Sequence, residues 1–186
     1  MLREGGWFFL HRYRARGEDE DLNLAASTFE RARRDAPPDA DSRQAPLSDL
    51  AVVLRARFER WGRRDDIDRA VALHREARRA AADSDDAQLF AHEENLANAL
   101  WSRYQHLGTV EDLNEAVTLH ERTARVLHAR PVERSAVFNN LALVLQARYE
   151  HTGEIVDLEA AVTTAREAVE EGVADPDSTR TTWPRS

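Results

Sequence analysis

Apolar residues recur along this chain at helical spacing. Leu96, Ala97, Leu100 and Tyr104 form one stripe, repeated as Leu50, Ala51, Leu54, Phe58 and as Leu141, Ala142, Leu145, Tyr149. Such a stripe builds one apolar face of an amphipathic helix. A second kind of stripe follows each: Ile67, Ala70, Val71, then Leu113, Ala116, Val117, then Leu158, Ala161, Val162. A glycine separates the two stripes and ends the first helix, because glycine adopts the left-handed C-terminal conformation at little cost. The pattern predicts first helices near 43–61, 87–107 and 132–152, and second helices near 21–34, 66–82, 112–129 and 157–172. Polar, proline-containing breaks fall at 35–41 (DAPPDAD), at 83–86 (DSDD) and at the Arg130-Pro131 step.

The landmarks keep a fixed period. Tyr13, Phe58, Tyr104 and Tyr149 step by 45, 46 and 45 residues, and so do Gly17, Gly62, Gly108 and Gly153. The preceding Arg12, Arg57, Arg103, Arg148 and the following Asp21, Asp66, Asp112, Asp157 hold the same steps. Periods of this size mark stacked repeat proteins. The predicted fold class is all-α: an α-solenoid of about four antiparallel helical hairpins, with repeats near 1–37, 38–83, 84–129 and 130–172. A flexible tail is expected over 173–186. Each recurrent Asp reads as a helix-start residue accepting bonds from free backbone amides, and Asp112 with Glu115 has the spacing of a capping box.

Both ends look cut. Met1 falls inside the expected first helix, the last helix runs into ADPDSTRTTWPRS, and Trp7, Phe8 and Phe9 sit at the open N-terminal end. Terminal repeats normally carry polar capping faces. The expectation is therefore a fragment of a longer array, or self-association through the open ends.

Composition narrows the chemistry. The net charge of −8 argues against a nucleic-acid backbone as partner. There is no cysteine, and all 26 basic residues are arginine. Thiolate chemistry, Schiff-base lysines and the P-loop lysine are all excluded. The longest early apolar run, Trp7 to Leu10, is far shorter than a signal-peptide core or a spanning helix, so a cytoplasmic protein without membrane contact is expected.

Candidate sites reduce largely to packing. The recurrent Arg-Asp pair, such as Arg103 and Asp112, is expected to meet across the turn as a partly exposed structural ladder, each pair contributing about 0–1 kcal/mol. His74 and His120 are repeat equivalents and read as packing positions, while His92-Glu93 lacks the second histidine of a zinc-protease motif. His120 and His128 share one predicted helix without a third ligand. No metal or cofactor is expected. Abundant Asp and Glu read as solvated faces, and Gly5-Gly6 makes no phosphate loop.

These residues resemble the tetratricopeptide repeat family. The first helices carry Leu-small pairs (Leu50-Ala51, Leu96-Ala97, Leu141-Ala142), and the second carry small residues seven apart (Ala25/Ala32, Ala70/Ala77, Ala116/Thr123, Ala161/Ala168). The usual period is about 34 residues. About seven of the extra residues here fall between the small-residue landmarks, close to two helical turns, so both helices lengthen while keeping their faces. Stretches such as NNLALVLQARYEHTG followed by DLEAAV resemble long arrays of actinobacterial proteins that often precede a CHAT protease domain; no such domain is present in this sequence.

The resemblance implies a non-enzymatic scaffold binding a peptide or protein in a concave groove lined by first helices. The alternative it implies is a sensor arm of a CHAT-protease signalling or defence system. The implied groove positions are Ser48, Val52 and Arg55, then Glu94, Asn98 and Trp101, then Asn139, Leu143 and Gln146. Trp101 stands out because its equivalents are Leu10, Arg55 and Gln146. A Trp where packing requires none is a plausible binding anchor. The Lys-rich carboxylate clamp of chaperone-binding relatives is not reproduced.

Overall fold

A computed structural model of the chain describes residues 2–37, 39–81, 86–127 and 130–173. Among them the secondary structure is helical: α1 (Leu2–Arg16), α2 (Asp19–Asp35), α3 (Ala40–Trp61), α4 (Arg64–Ala80), α5 (Asp86–Leu107), α6 (Val110–Val126), α7 (Pro131–Thr152) and α8 (Ile155–Val173). The chain divides into two compact units, Met1–Gly108 and Thr109–Ser186. In the first, α1 pairs with α2 and α3 with α4; α3 also packs on α1 and α2, and α5 on α3 and α4. In the second, α7 pairs with α8 and packs on α6. The fold class is that of all-α helical repeats.

The turns form where the glycines predicted them. Gly17, Gly62, Gly108 and Gly153 have φ of 74°, 66°, 71° and 76°. Each glycine amide donates to the carbonyl of the aromatic residue four positions earlier, at 2.7–2.8 Å. A β-carbon at any of the four would meet nothing within 4 Å, so backbone handedness and not crowding calls for glycine.

The second helices begin two residues earlier than the stripes predicted, at Asp19, Arg64, Val110 and Ile155. The recurrent Asp lies near the helix start as expected, in the first turn, but not at the cap position itself. Glu18, Arg63 and Thr109 hold the cap positions of α2, α4 and α6, without side-chain cap bonds. The aspartates stand third in their helices, within the first turn, where their own amides donate to the carbonyls three residues earlier at 3.0–3.1 Å. Asp112 is therefore not the cap of a capping box. Asp39, in contrast, does cap α3, accepting from the Ser42 amide at 2.8 Å. The DSDD break lies outside the described residues except for Asp86, where α5 begins, and Pro131 opens α7 at a position that needs no amide donor. The tail after Val173 and His128 also lie outside the described residues.

The stripes supply the core. Leu50, Ala51, Leu54 and Phe58 are buried, as are Leu96, Ala97, Leu100, Leu141 and Leu145. The small residues of the second helices, from Ala25/Ala32 through Ala161/Ala168, are buried too, which allows close helix approach. In the first hairpin the approach is tighter still. A β-carbon on Gly6 would stand 2.5 Å from Phe29 Cε1, and Phe29 is fully buried. Gly6 therefore belongs to the repeat after all: it occupies the small position filled by Ala51, Ala97 and Ala142.

Candidate functional site

Arg-Asp pairs within the hairpins describe the scaffold against which any site must be judged. Arg12 Nε donates to Asp21 Oδ2 at 2.7 Å, and its Nη2 donates to Oδ1. Arg148 repeats this fork on Asp157 at 2.8 and 2.5 Å. Arg57 approaches Asp66 less closely, at 3.4 Å. The arginines Arg12, Arg57 and Arg148 and the Asp66 carboxylate are partly exposed as expected, whereas the Asp21 and Asp157 carboxylates are buried. The fork from Arg12 holds the Asp21 carboxyl below its ordinary pKa against the opposing effect of burial, and Asp21 in turn raises Arg12. Arg103 reaches the preceding hairpin, donating to Asp68 Oδ1 at 3.0 Å.

The groove positions separate by unit. On α3, Val52 and Arg55 line a cavity of about 260 Å³ together with Leu10, Tyr13 and Arg14 of α1. Arg55 Nη1 donates to Glu59 Oε1 at 2.6 Å, and the Ser102 hydroxyl of α5 donates to the same oxygen at 3.0 Å. Ser48 is buried and accepts from Asn95 Nδ2 at 3.3 Å, so it joins α3 to α5 and presents little surface. Glu94, Asn98 and Trp101 lie half-buried on α5, and Trp101 stacks on Tyr104 with ring centroids 5.8 Å apart.

In the second unit, Asn139, Leu143 and Gln146 share one cavity of about 350 Å³. Its other walls are Ala142 of α7 and Leu158, Ala161, Val162 and Ala165 of α8. The first-helix rule missed these α8 residues. A signal existed in the repeat itself: Val162 is apolar like its equivalents Ala26, Val71 and Val117.

Elsewhere the chemistry is that of packing. His74 and His120 are fully buried. Neither ring nitrogen of His74 meets a hydrogen-bond partner among the described residues. Burial first, then the charges of Arg55 and His92, push its pKa down to about 3, so the ring is neutral at ordinary pH. Burial lowers His92 as well. Among the described residues no group of His, Asp and Glu is placed to hold a metal ion, and no helix is long and apolar enough to cross a membrane.

With this geometry in view, the comparisons with known proteins become informative. The tetratricopeptide repeat family model matches residues 135–177, which cover most of α7 and all of α8. A Podosopora anserina putative kinesin light chain with nearly identical TPR-like repeats superimposes with a TM-score of 0.59 at 20% identity, covering 97% of each chain. A structure described as the DHF58 filament gives a TM-score of 0.58 at 17% identity, covering 93% of this chain and 92% of that one. No curated protein matches the chain in sequence. One stretch of the chain thus matches the tetratricopeptide repeat model, and the chain shares the helical-repeat fold of TPR-like proteins, a fold that generally mediates protein–protein interaction.

Proposed function

We propose that the chain is a non-enzymatic interaction module that takes an extended peptide segment across its first helices in the unit of α1, α3 and α5. The observation that carries this reading is the shared cavity of Val52, Arg55, Leu10, Tyr13 and Arg14 between two first helices. Its lining is apolar and aromatic at Leu10, Val52, Ala56 and Tyr13 and charged at Arg14, Arg55, Arg60 and Glu59, so guanidinium groups outnumber the carboxylate. Such a site accepts an apolar side chain and orients a neighbouring carboxylate or backbone carbonyl by hydrogen bonds from arginine. Half-buried Trp101 and Asn98 on α5 extend the same reading to the next first helix. Trp is among the residues most often found at binding hot spots.

The test is selection of displayed random peptides on the whole chain, followed by calorimetry on the winners. Selected peptides are expected to share an apolar residue beside an acidic one. Arg55→Ala and the Trp101→Ala, Asn98→Ala pair are each expected to weaken binding about tenfold or more, some 1.4 kcal/mol, with helicity unchanged. Tight binders indifferent to both variants would remove the first-helix face from consideration.

A further inference from the structure

Two faces of this chain are exposed at positions that are covered everywhere else in the repeat. On α1, Phe8 is 58% exposed, whereas its equivalents Val53, Ala99 and Val144 are buried. On α8, Val162 is 46% exposed, whereas Ala26, Val71 and Val117 are buried. Ala165 is likewise exposed where Phe29, His74 and His120 are buried. Phe8 lies on the side a first helix turns toward the preceding hairpin, because α3 packs on α1 and α2. Val162 lies on the side a second helix turns toward the following one. The two faces are thus the two halves of a contact that the chain already makes between its own hairpins.

We propose that a second copy of this chain seats the outer edge of its α1 on the α7–α8 face, in the register that joins consecutive hairpins within the chain. The internal bonds fix that register. Asn95 Nδ2 donates to Ser48 Oγ at 3.3 Å, Ser102 Oγ donates to Glu59 Oε1 at 3.0 Å, and Arg103 Nη1 donates to Asp68 Oδ1 at 3.0 Å. In the other unit Arg148 Nη1 donates to Asn114, the equivalent of Asp68, at 3.4 Å.

Shifting these pairs by the repeat steps of 45 and 46 residues places Glu4 of one copy opposite Asn139 of the other. The same shift sets His11 opposite Glu150 and Arg12 opposite Glu159. Each pairing matches a donor with an acceptor, and none sets like charges together. Inside the chain Arg78 donates to the buried Glu93 at 2.9 Å, and the equivalent pair between copies is Val169 with Leu2. An ion pair has become an apolar pair on both sides at once, and Val169 is the most exposed large apolar residue described, at 65%. Complementarity of size and charge therefore points to one occupant, the α1 edge of another copy.

Such a contact is heterologous: each copy keeps one free face of each kind, so assembly continues unless a ring closes. It rests on the interaction-module reading only in assigning the chain a docking role. It uses the α7–α8 face and not the α1–α3 cavity, so failure of one leaves the other standing.

The experiment uses the whole chain with Phe8→Asp, with Val162→Asp, and an equimolar mixture of the two variants, followed by sedimentation velocity from micromolar to near-millimolar concentration. Both substituted residues are exposed, and circular dichroism checks that helicity is kept. The parent is expected to grow in mass with concentration, and each variant alone is expected to stay monomeric. The mixture is expected to form a one-to-one pair and nothing larger, because each variant supplies the intact face that the other lacks. Glu159→Arg, which would face Arg12 of the next copy, is expected to weaken assembly at least tenfold. A parent monomeric throughout would overturn the proposal. So would a single variant that still assembles, or a mixture that fails to pair.

Discussion

Where α2 carries Phe29, α4 carries His74, and both side chains are fully buried. The small position of the first helix is Gly6 in the first hairpin and Ala51 in the second. A large flat ring is matched by no β-carbon, a smaller ring by one. The repeat thus fixes the backbone plan and leaves the volume at this site to be shared between two residues. The sharing has an electrostatic side as well. Phe29 asks nothing of its surroundings, but neither nitrogen of the buried His74 ring meets a partner among the described residues, and burial, Arg55 and His92 keep it from taking a proton. The first hairpin is limited by space, the second by charge.

The largest effect should come from removing the space. Gly6→Val is expected to destabilise the protein by about 3 kcal/mol in urea unfolding, since its β-carbon would enter the Phe29 ring. Copying the second hairpin, with Gly6→Ala and Phe29→His together, should cost less than the sum of the single changes. An unchanged midpoint for Gly6→Val would dissolve the contrast between the hairpins.

The charge side is read by pH. His74 takes up a proton in the unfolded chain below about pH 6.5, but in the folded one only near its pKa of about 3. Unfolding therefore binds a proton between those values. Stability is full above pH 6.5 and falls toward pH 3, by up to about 1.4 kcal/mol per pH unit. His74→Leu is expected to flatten part of this slope between pH 7 and 5. If parent and variant lose stability in parallel, the second hairpin is not limited by charge at this site.

The smallest expected difference lies in the Arg-Asp pairs. A double-mutant cycle on Arg57 and Asp66, which stand 3.4 Å apart, should return a coupling below about 1 kcal/mol. The cycle on Arg12 and Asp21, a two-bonded fork on a buried carboxylate, should return the larger value. Equal couplings would mean that the geometric difference between the two hairpins has no energetic weight.

The sequence already contained the turns, because a glycine at a positive φ is a strong and local signal that recurs at Gly17, Gly62, Gly108 and Gly153. It contained the core stripes for the same reason. The recurrent Asp misled, because an acidic residue in the first helical turn and one at the cap look alike in a sequence, and the polar residues ahead of Asp21 hide the earlier start at Asp19. The candidate site was only partly legible. Val52 and Arg55 line one cavity as the resemblance implied, but Ser48 is taken up in joining α3 to α5. The apolar face of α8 depends on what does or does not stack against it, and no residue on that helix encodes this alone.

The empty space around the four glycine corners says something about chirality. The left-handed backbone there is unfavourable for an L-residue and natural for its mirror image. With φ at 66°, Gly62 holds the backbone angle that a D-alanine prefers. It would also narrow the conformations open to the unfolded chain. What these corners select is the hand of the residue and not its bulk, which makes them natural points for a mirror-image building block in a chemically assembled version of this protein.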